Sequence, residues 1–205
     1  MSPDEDLVRR LRLGDEIAFR EVIRRHHARL LGLAKTFVGN GATAEEVVQD
    51  TWLAVIEGIG RLDQPSSLKS WIYTILANKA RRRAARDRRI SLFADMSAGD
   101  EGAPAMDPGR FTHRGFWTDT VALWDLRDPE RIVAGRQIWA YTLTAIDNLP
   151  PRQKAVVLLR DVEGLNASDA CEILGIAESH QRVLLHRGRA KLRQAIEEFL
   201  TGAKR

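Results

Sequence analysis

Cysteine is almost missing from this 205-residue chain, and Cys171 alone can form neither an internal disulfide nor a multi-cysteine zinc site. It falls in a helical apolar pattern with Ala170, Ile173 and Leu174, which reads as a core position. Long apolar runs are also missing. None approaches the roughly 18 residues that a membrane span requires, so no membrane insertion is expected. The opening residues Pro3, Asp4, Glu5 and Asp6 supply neither the basic start nor the apolar stretch of a secretory signal, and the expected location is the cytoplasm. Strand-like alternation occurs nowhere. His26 and His27 are adjacent, about 100° apart on a helix, and lack the i, i+4 spacing of a zinc pair. No metal, cofactor or catalytic residue is expected.

What is present is charge, unevenly spread. The net charge is only +4, but residues 91–130 hold eight acidic and three basic residues, a local −5 that leaves +9 on the rest. The same stretch is crowded with glycine, proline and small residues, whereas helical periodicity is clear on both sides. The expected fold is therefore all-α: two small helical domains, residues 1–90 and 131–205, joined by an acidic linker over 91–130.

Ser2, Pro3 and Glu5 read as an N-cap, a first-turn proline and an N3 carboxylate for a helix ending near Gly14. Asp15 can cap a long amphipathic helix that stops at Gly39, Asn40 and Gly41. Thr43 to Glu46 read as a capping box for the next helix, and a fourth starts near Leu68. Beyond the linker, helices are expected over 129–148, 152–162, 167–174 and 179–200.

Three surfaces carry binding chemistry. Residues 164–176, a capped short helix with a glycine turn, precede a basic helix at helix-turn-helix spacing. The first turns of such a helix reach base edges, where arginine suits guanine and glutamine suits adenine, so Gln181 and Arg182 are the base-reading candidates. A solvated cationic face is the plainer reading of the charge alone; the cap and the glycine turn favour DNA. The second surface is the helix from Leu68, which ends with seven basic residues in eleven, 79–89, and carries Tyr73 and Asn78. Aromatic and amide groups beside a cationic track suit single-stranded DNA, whereas Trp71 fits the core. The third is the helix with Glu45, Glu46, Gln49, Asp50, Trp52 and Glu57, better suited to a protein partner.

Taken together, residues 45–52 and 70–78 with the arginine tail resemble region 2 of the extracytoplasmic-function (ECF) sigma factors of bacterial RNA polymerase, and residues 149–165 with the helix-turn-helix after them resemble region 4. The resemblance implies a non-enzymatic promoter-recognition subunit. It implies core-polymerase binding by Glu45, Glu46, Gln49, Asp50 and Trp52 on the clamp helices of the β′ subunit. It assigns capture and melting of the −10 element to Arg61, Ser70, Tyr73, Asn78, Lys79, Arg81, Arg82, Arg83 and Arg86. It assigns the duplex −35 element to Ser179, His180, Gln181, Arg182, His186, Arg187 and Arg189, with a further contact to the β flap. An anti-sigma factor is the implied inhibitor.

Two departures stand out. Where relatives have a Thr-Val-Lys-Ser-Arg-like start to the recognition helix, this chain has Ser179, His180, Gln181, Arg182 and Val183, so the −35 sequence does not transfer. The linker is long and holds Phe111, Phe116, Trp117 and Trp124; its acids read either as a mimic of nucleic acid within the polymerase or as part of a passive tether with a few aromatics docked on a domain. A helix-turn-helix repressor acting without polymerase is the competing reading, and a purely structural helical adaptor leaves both basic tracts unexplained.

Overall fold

The computed structural model describes residues 3–87 and 129–202; the expected Ser2 cap, Arg88, Arg89 and the acidic linker up to residue 128, with its four aromatics, lie outside the described residues, and the last two residues assigned to the linker open a helix. Among the described residues all regular structure is helical, in the order α1 (Pro3–Arg12), α2 (Glu16–Val38), α3 (Gly41–Gly58), α4 (Leu68–Arg86), α5 (Pro129–Asp147), α6 (Pro151–Val157), α7 (Ala167–Leu174) and α8 (Glu178–Gly202). Short 3-10 turns at Ile59–Arg61 and Pro65–Ser67 lead into α4, and a π-helical turn, Leu158–Val162, extends α6. No helix among these residues is long and apolar enough to cross a membrane.

Local chemistry sets the boundaries. Asp15 accepts from the amides of Ile17 (2.8 Å) and Ala18 (3.3 Å) and pairs with Arg10 at 2.7 Å. That Arg10 pairing, followed by the backbone amides, lowers the Asp15 carboxyl pKa. Helix α2 ends on Gly39 in the left-handed region at φ 66°, where glycine carries no steric cost, and α3 begins immediately because Asn40 accepts from the Ala42 amide. This corrects the capping box expected at Thr43, which lies buried inside the first turn of α3. Asn40 wins because its amide already occupies the extended position before the helix.

Helices α1 to α4 form the first lobe around Val8, Leu11, Val22, Leu30, Leu33, Phe37, Val48, Val55, Ile72 and Leu76, all essentially inaccessible. Each such side chain contributes on the order of 1.5–3 kcal/mol on leaving water. The second lobe closes on Val156, Leu159, Ile173, Leu174 and Leu184. Trp71 is only half-buried, packed over Gly58, and Cys171 sits at the edge of the core, its thiol pKa raised by burial.

Candidate nucleic-acid and polymerase interfaces

The helix-turn-helix is built as its capping residues dictate. Asn166 accepts from the Asp169 amide at 2.8 Å to start α7. Gly175 turns the chain at φ 67°, and α8 follows. At the start of α8, Ser179, Arg182 and Val183 are exposed, and Arg182 leans toward Glu178 at 2.5 Å. Gln181, by contrast, is 2% exposed and faces the interior. This corrects its expected role as a base reader: Gln181, Leu184, Leu185 and Gly188 recur at helical spacing on the buried side, a signal already present in the sequence. His180 is half-buried. His186 and Arg187 lie partly buried further along, and Arg189 makes a two-point contact with Asp161, Nε–Oδ2 3.0 Å and Nη2–Oδ1 2.5 Å.

On α4, Asn78, Arg82 and Arg86 occupy positions i, i+4 and i+8 and form one exposed polar stripe. Arg61 is exposed on the turn before α4, Lys79 is half-buried, and the Ser70 hydroxyl donates to the Ser67 carbonyl at 3.1 Å. Arg83 is engaged, with Asp87 at 2.8 Å and Glu46 of α3 at 2.6 Å; the Asp87 bond and then the Glu46 bond raise its pKa. Tyr73 is 1% exposed and so is not the open stacking platform expected of it. It belongs to the buried series Tyr73, Ala77, Ala80 and Ala84. Burial first, and then the charge of Glu163, drive its phenol pKa far above the ordinary range.

On α3, Glu45, Glu46, Gln49 and Asp50 are exposed and continue into Leu53 and Ile56, which remain 59% and 50% exposed. Neither was singled out from the sequence, where both fall among the apolar residues of this helix. Trp52 is the reverse case. It is 7% exposed, and its indole Nε1 donates to His27 Nδ1 of α2 at 3.3 Å, so it braces the bundle instead of meeting a partner.

The two lobes touch. The Glu163 side chain, 1% exposed, leaves the second lobe and enters a cluster on α2 and α4, with Arg29 Nη1 at 3.2 Å and His26 Nδ1 at 3.8 Å. Lys69 Nζ donates to the Glu163 carbonyl at 2.8 Å, and Arg81 donates to the Ile173 carbonyl near the end of α7 while lying 5.9 Å from the Phe37 ring centroid. Burial lowers the Arg81 pKa. Beside this contact opens a cleft of ≈ 690 Å³ lined by Arg24, Arg25, Lys69 and Ser70 from the first lobe and by Leu165 and Asp169 from the second.

Comparison with known proteins matches both halves. The model of Sigma-70 region 2 matches residues 22–90, and that of Sigma-70, region 4, matches residues 140–192. The chain is 30% identical over 190 residues to the RNA polymerase sigma factor CarQ of Myxococcus xanthus, a match covering 93% of this chain and 95% of that protein. It is 26% identical to the ECF RNA polymerase sigma-E factor of Haemophilus influenzae, covering 96% and 97%. Its fold is shared with CnrH in complex with the cytosolic domain of CnrY, at TM-score 0.50 and 20% identity over 96% of this chain and 98% of that one. It is shared equally with the sigma factor RpoE in complex with the anti-sigma factor NepR from Bartonella quintana, at TM-score 0.50 and 20% identity over 87% and 96%. With both regions matched, and a relative aligned over nearly its whole length, the chain belongs to the ECF group of the sigma-70 family of RNA polymerase sigma factors.

Proposed function

We propose that this chain, which as an ECF sigma factor serves promoter recognition in transcription initiation, divides that task between its two lobes. The first lobe reads and melts the −10 element, and the second holds the −35 element as duplex. The observation that carries this division is the separation of two exposed DNA-competent faces: Asn78, Arg82 and Arg86 on α4, and Ser179 with Arg182 at the tip of the helix-turn-helix.

The two faces suit different substrates. A stripe of one amide and two guanidinium groups can follow a strand backbone, and melting a base out of the stack costs a few kcal/mol that such a track helps to offset. A helix tip held out by a glycine turn instead fits the major groove, where a bidentate arginine discriminates bases by about 1–3 kcal/mol. Arg61 and Ser70 flank the loop that would hold a displaced base. Lys79, Arg187 and His186 then serve phosphate positioning.

For the polymerase, α3 supplies the docking face, with Glu45, Glu46, Gln49 and Asp50 around exposed Leu53 and Ile56. A polar rim around an apolar centre is the composition of a protein interface. The β′ clamp helices are its assigned target, and the second lobe meets the β flap. An anti-sigma factor is the proposed inhibitor, as one structural relative is a sigma factor solved in complex with an anti-sigma factor. The chain performs no chemistry of its own and acts in the cytoplasm.

The test is reconstitution with bacterial core RNA polymerase on a genomic promoter library, with RNA starts sequenced at several salt concentrations. The expected result is initiation from one promoter class sharing −10 and −35 elements. Binding of duplex operators by the free protein, with no binding to core polymerase, would replace this reading with that of a repressor.

A further inference from the structure

The family resemblance counts Arg189 among the −35 readers, but its side chain is only 14% exposed, against 74% for Arg182. Its guanidinium is spent on Asp161: Nε meets Oδ2 at 3.0 Å and Nη2 meets Oδ1 at 2.5 Å. Two parallel bonds of this kind make an arginine–carboxylate pair directional as well as strong. Arg182 pairs with Glu178 inside α8, a contact that gives no purchase on the rest of the lobe. The Asp161 pair crosses from α8 to the π-helical turn that extends α6.

That turn is braced. The Glu163 amide donates to the Leu158 carbonyl at 2.9 Å and the Leu165 amide to the Leu159 carbonyl at 2.9 Å, while Arg160 donates to the Leu165 carbonyl. Asp161 therefore offers its carboxylate from fixed backbone. Beside Arg189, Gly188 rests against Val157, one turn before Asp161. Apolar packing and this close approach determine how near α8 lies to α6, but such contacts are non-directional. The two-bond pair is directional and determines tilt. Arg182 lies seven residues before Arg189, about 10 Å along the helix, so a tilt of about 10° would carry it about 2 Å sideways. A hydrogen bond to a base edge does not tolerate that displacement.

We infer that Asp161 is a positioning residue for the recognition helix: through Arg189 it fixes the angle at which Ser179 and Arg182 are presented to duplex DNA, and so determines how sharply the −35 element is read. The inference rests on the −35 reading of the second lobe and removes Arg189 from the residues that touch DNA. Without the pair, α8 keeps its helix and its exposed cations. Phosphate contacts then persist, whereas discrimination between bases, which depends on orientation, declines.

The experiment uses core polymerase with the full parent chain, or with Asp161→Asn, Arg189→Lys or both. The template library randomises the −35 element of the parent's own promoter class. RNA counts give the ratio of initiation from the best sequence to that from single mismatches, which cost roughly 5- to 150-fold each in such sites. Asp161→Asn and Arg189→Lys should each lower this ratio by about fivefold. The double variant should fall no further, as expected of two residues acting through one contact. Discrimination at the −10 positions should match the parent in all of them. Arg189→Gln should leave the salt slope of promoter binding unchanged, because no phosphate contact is lost.

A parent-level ratio in either single variant, even with a lowered Tm, makes the pair a stability contact and overturns the inference. Arg189→Lys keeps the charge and loses the fork, so its retention of the ratio would show that charge alone suffices. A salt slope reduced by about 0.9 in Arg189→Gln would return Arg189 to the phosphates and also overturn it. A parent that discriminates at −35 alongside variants that discriminate equally removes the positioning role alone. A parent that initiates with no −35 preference removes the promoter reading of the second lobe, and the positioning role falls with it.

Discussion

Gly188 of α8 crosses α6 so closely that a β-carbon there would come within 2.8 Å of Val157 Cγ2. The recognition helix is therefore seated by the absence of a side chain. Gly188→Ala must push α8 away from α6, at a cost of about 1–3 kcal/mol for overpacking. Thermal unfolding followed by circular dichroism should show a lower Tm, with duplex promoter affinity falling in parallel.

Arg82 and Arg86 stand exposed on the α4 stripe. Replacing either with alanine should leave stability within about 0.5 kcal/mol. It should weaken single-strand binding and reduce the salt slope of log K by about 0.7 per residue. Affinity titrations over a salt series check both, and Arg83→Ala serves as contrast because it also severs the links to Glu46 and Asp87.

Leu53 and Ile56 are the exposed apolar centre of α3. Leu53→Glu with Ile56→Glu should cost more than about 2 kcal/mol of core-polymerase affinity, the scale of interface hot spots, with the fold intact. Competition with labelled parent chain for core polymerase measures it. Trp52→Ala, a buried position, should instead lower the Tm, by about 3–5 kcal/mol of stability.

His26 gives a pH signature. Burial is the main cause that lowers its pKa below the ordinary 6.5; Lys69, Arg29 and Arg25 lower it further, and Glu163 opposes them. Between that depressed value and 6.5 the unfolded chain binds more protons than the native one, so stability rises with pH through this window. Stability should therefore decline as pH falls below 6.5 and level off once the native imidazole is also protonated. Denaturant unfolding of the parent and of His26→Gln across that range should show the decline reduced in the variant.

Much of this was legible in the sequence, for identifiable reasons. Asp15, Asn166, Gly39 and Gly175 announced their caps because each has a conformational or hydrogen-bonding preference that needs no tertiary context. The side chains of the binding faces were harder. Gln181, Tyr73 and Trp52 carry polar atoms suited to contact, but each falls on the periodic stripe that turns inward. Polar character outweighed periodicity in the reading, and the fold followed periodicity. Leu53 and Ile56 were not singled out, since an apolar residue on a helix does not declare whether its partner is the same chain or another. The contact between Glu163 and the first lobe had no sequence signature, because residues that far apart meet only after both lobes have formed.

The joint between α2 and α3 consists of Gly39 and Asn40 alone, one ending a helix and the other starting the next. Such a joint has no spare length. One inserted residue would have to be absorbed by a helix, turning everything beyond it by about 100°. Val47, Val48 and Val55 would then leave the core, and the acidic stripe with Leu53 and Ile56 would turn away from its partner. The first lobe can therefore change its surface residue by residue over evolutionary time, but at this joint it can diverge only by substitution and not by insertion or deletion.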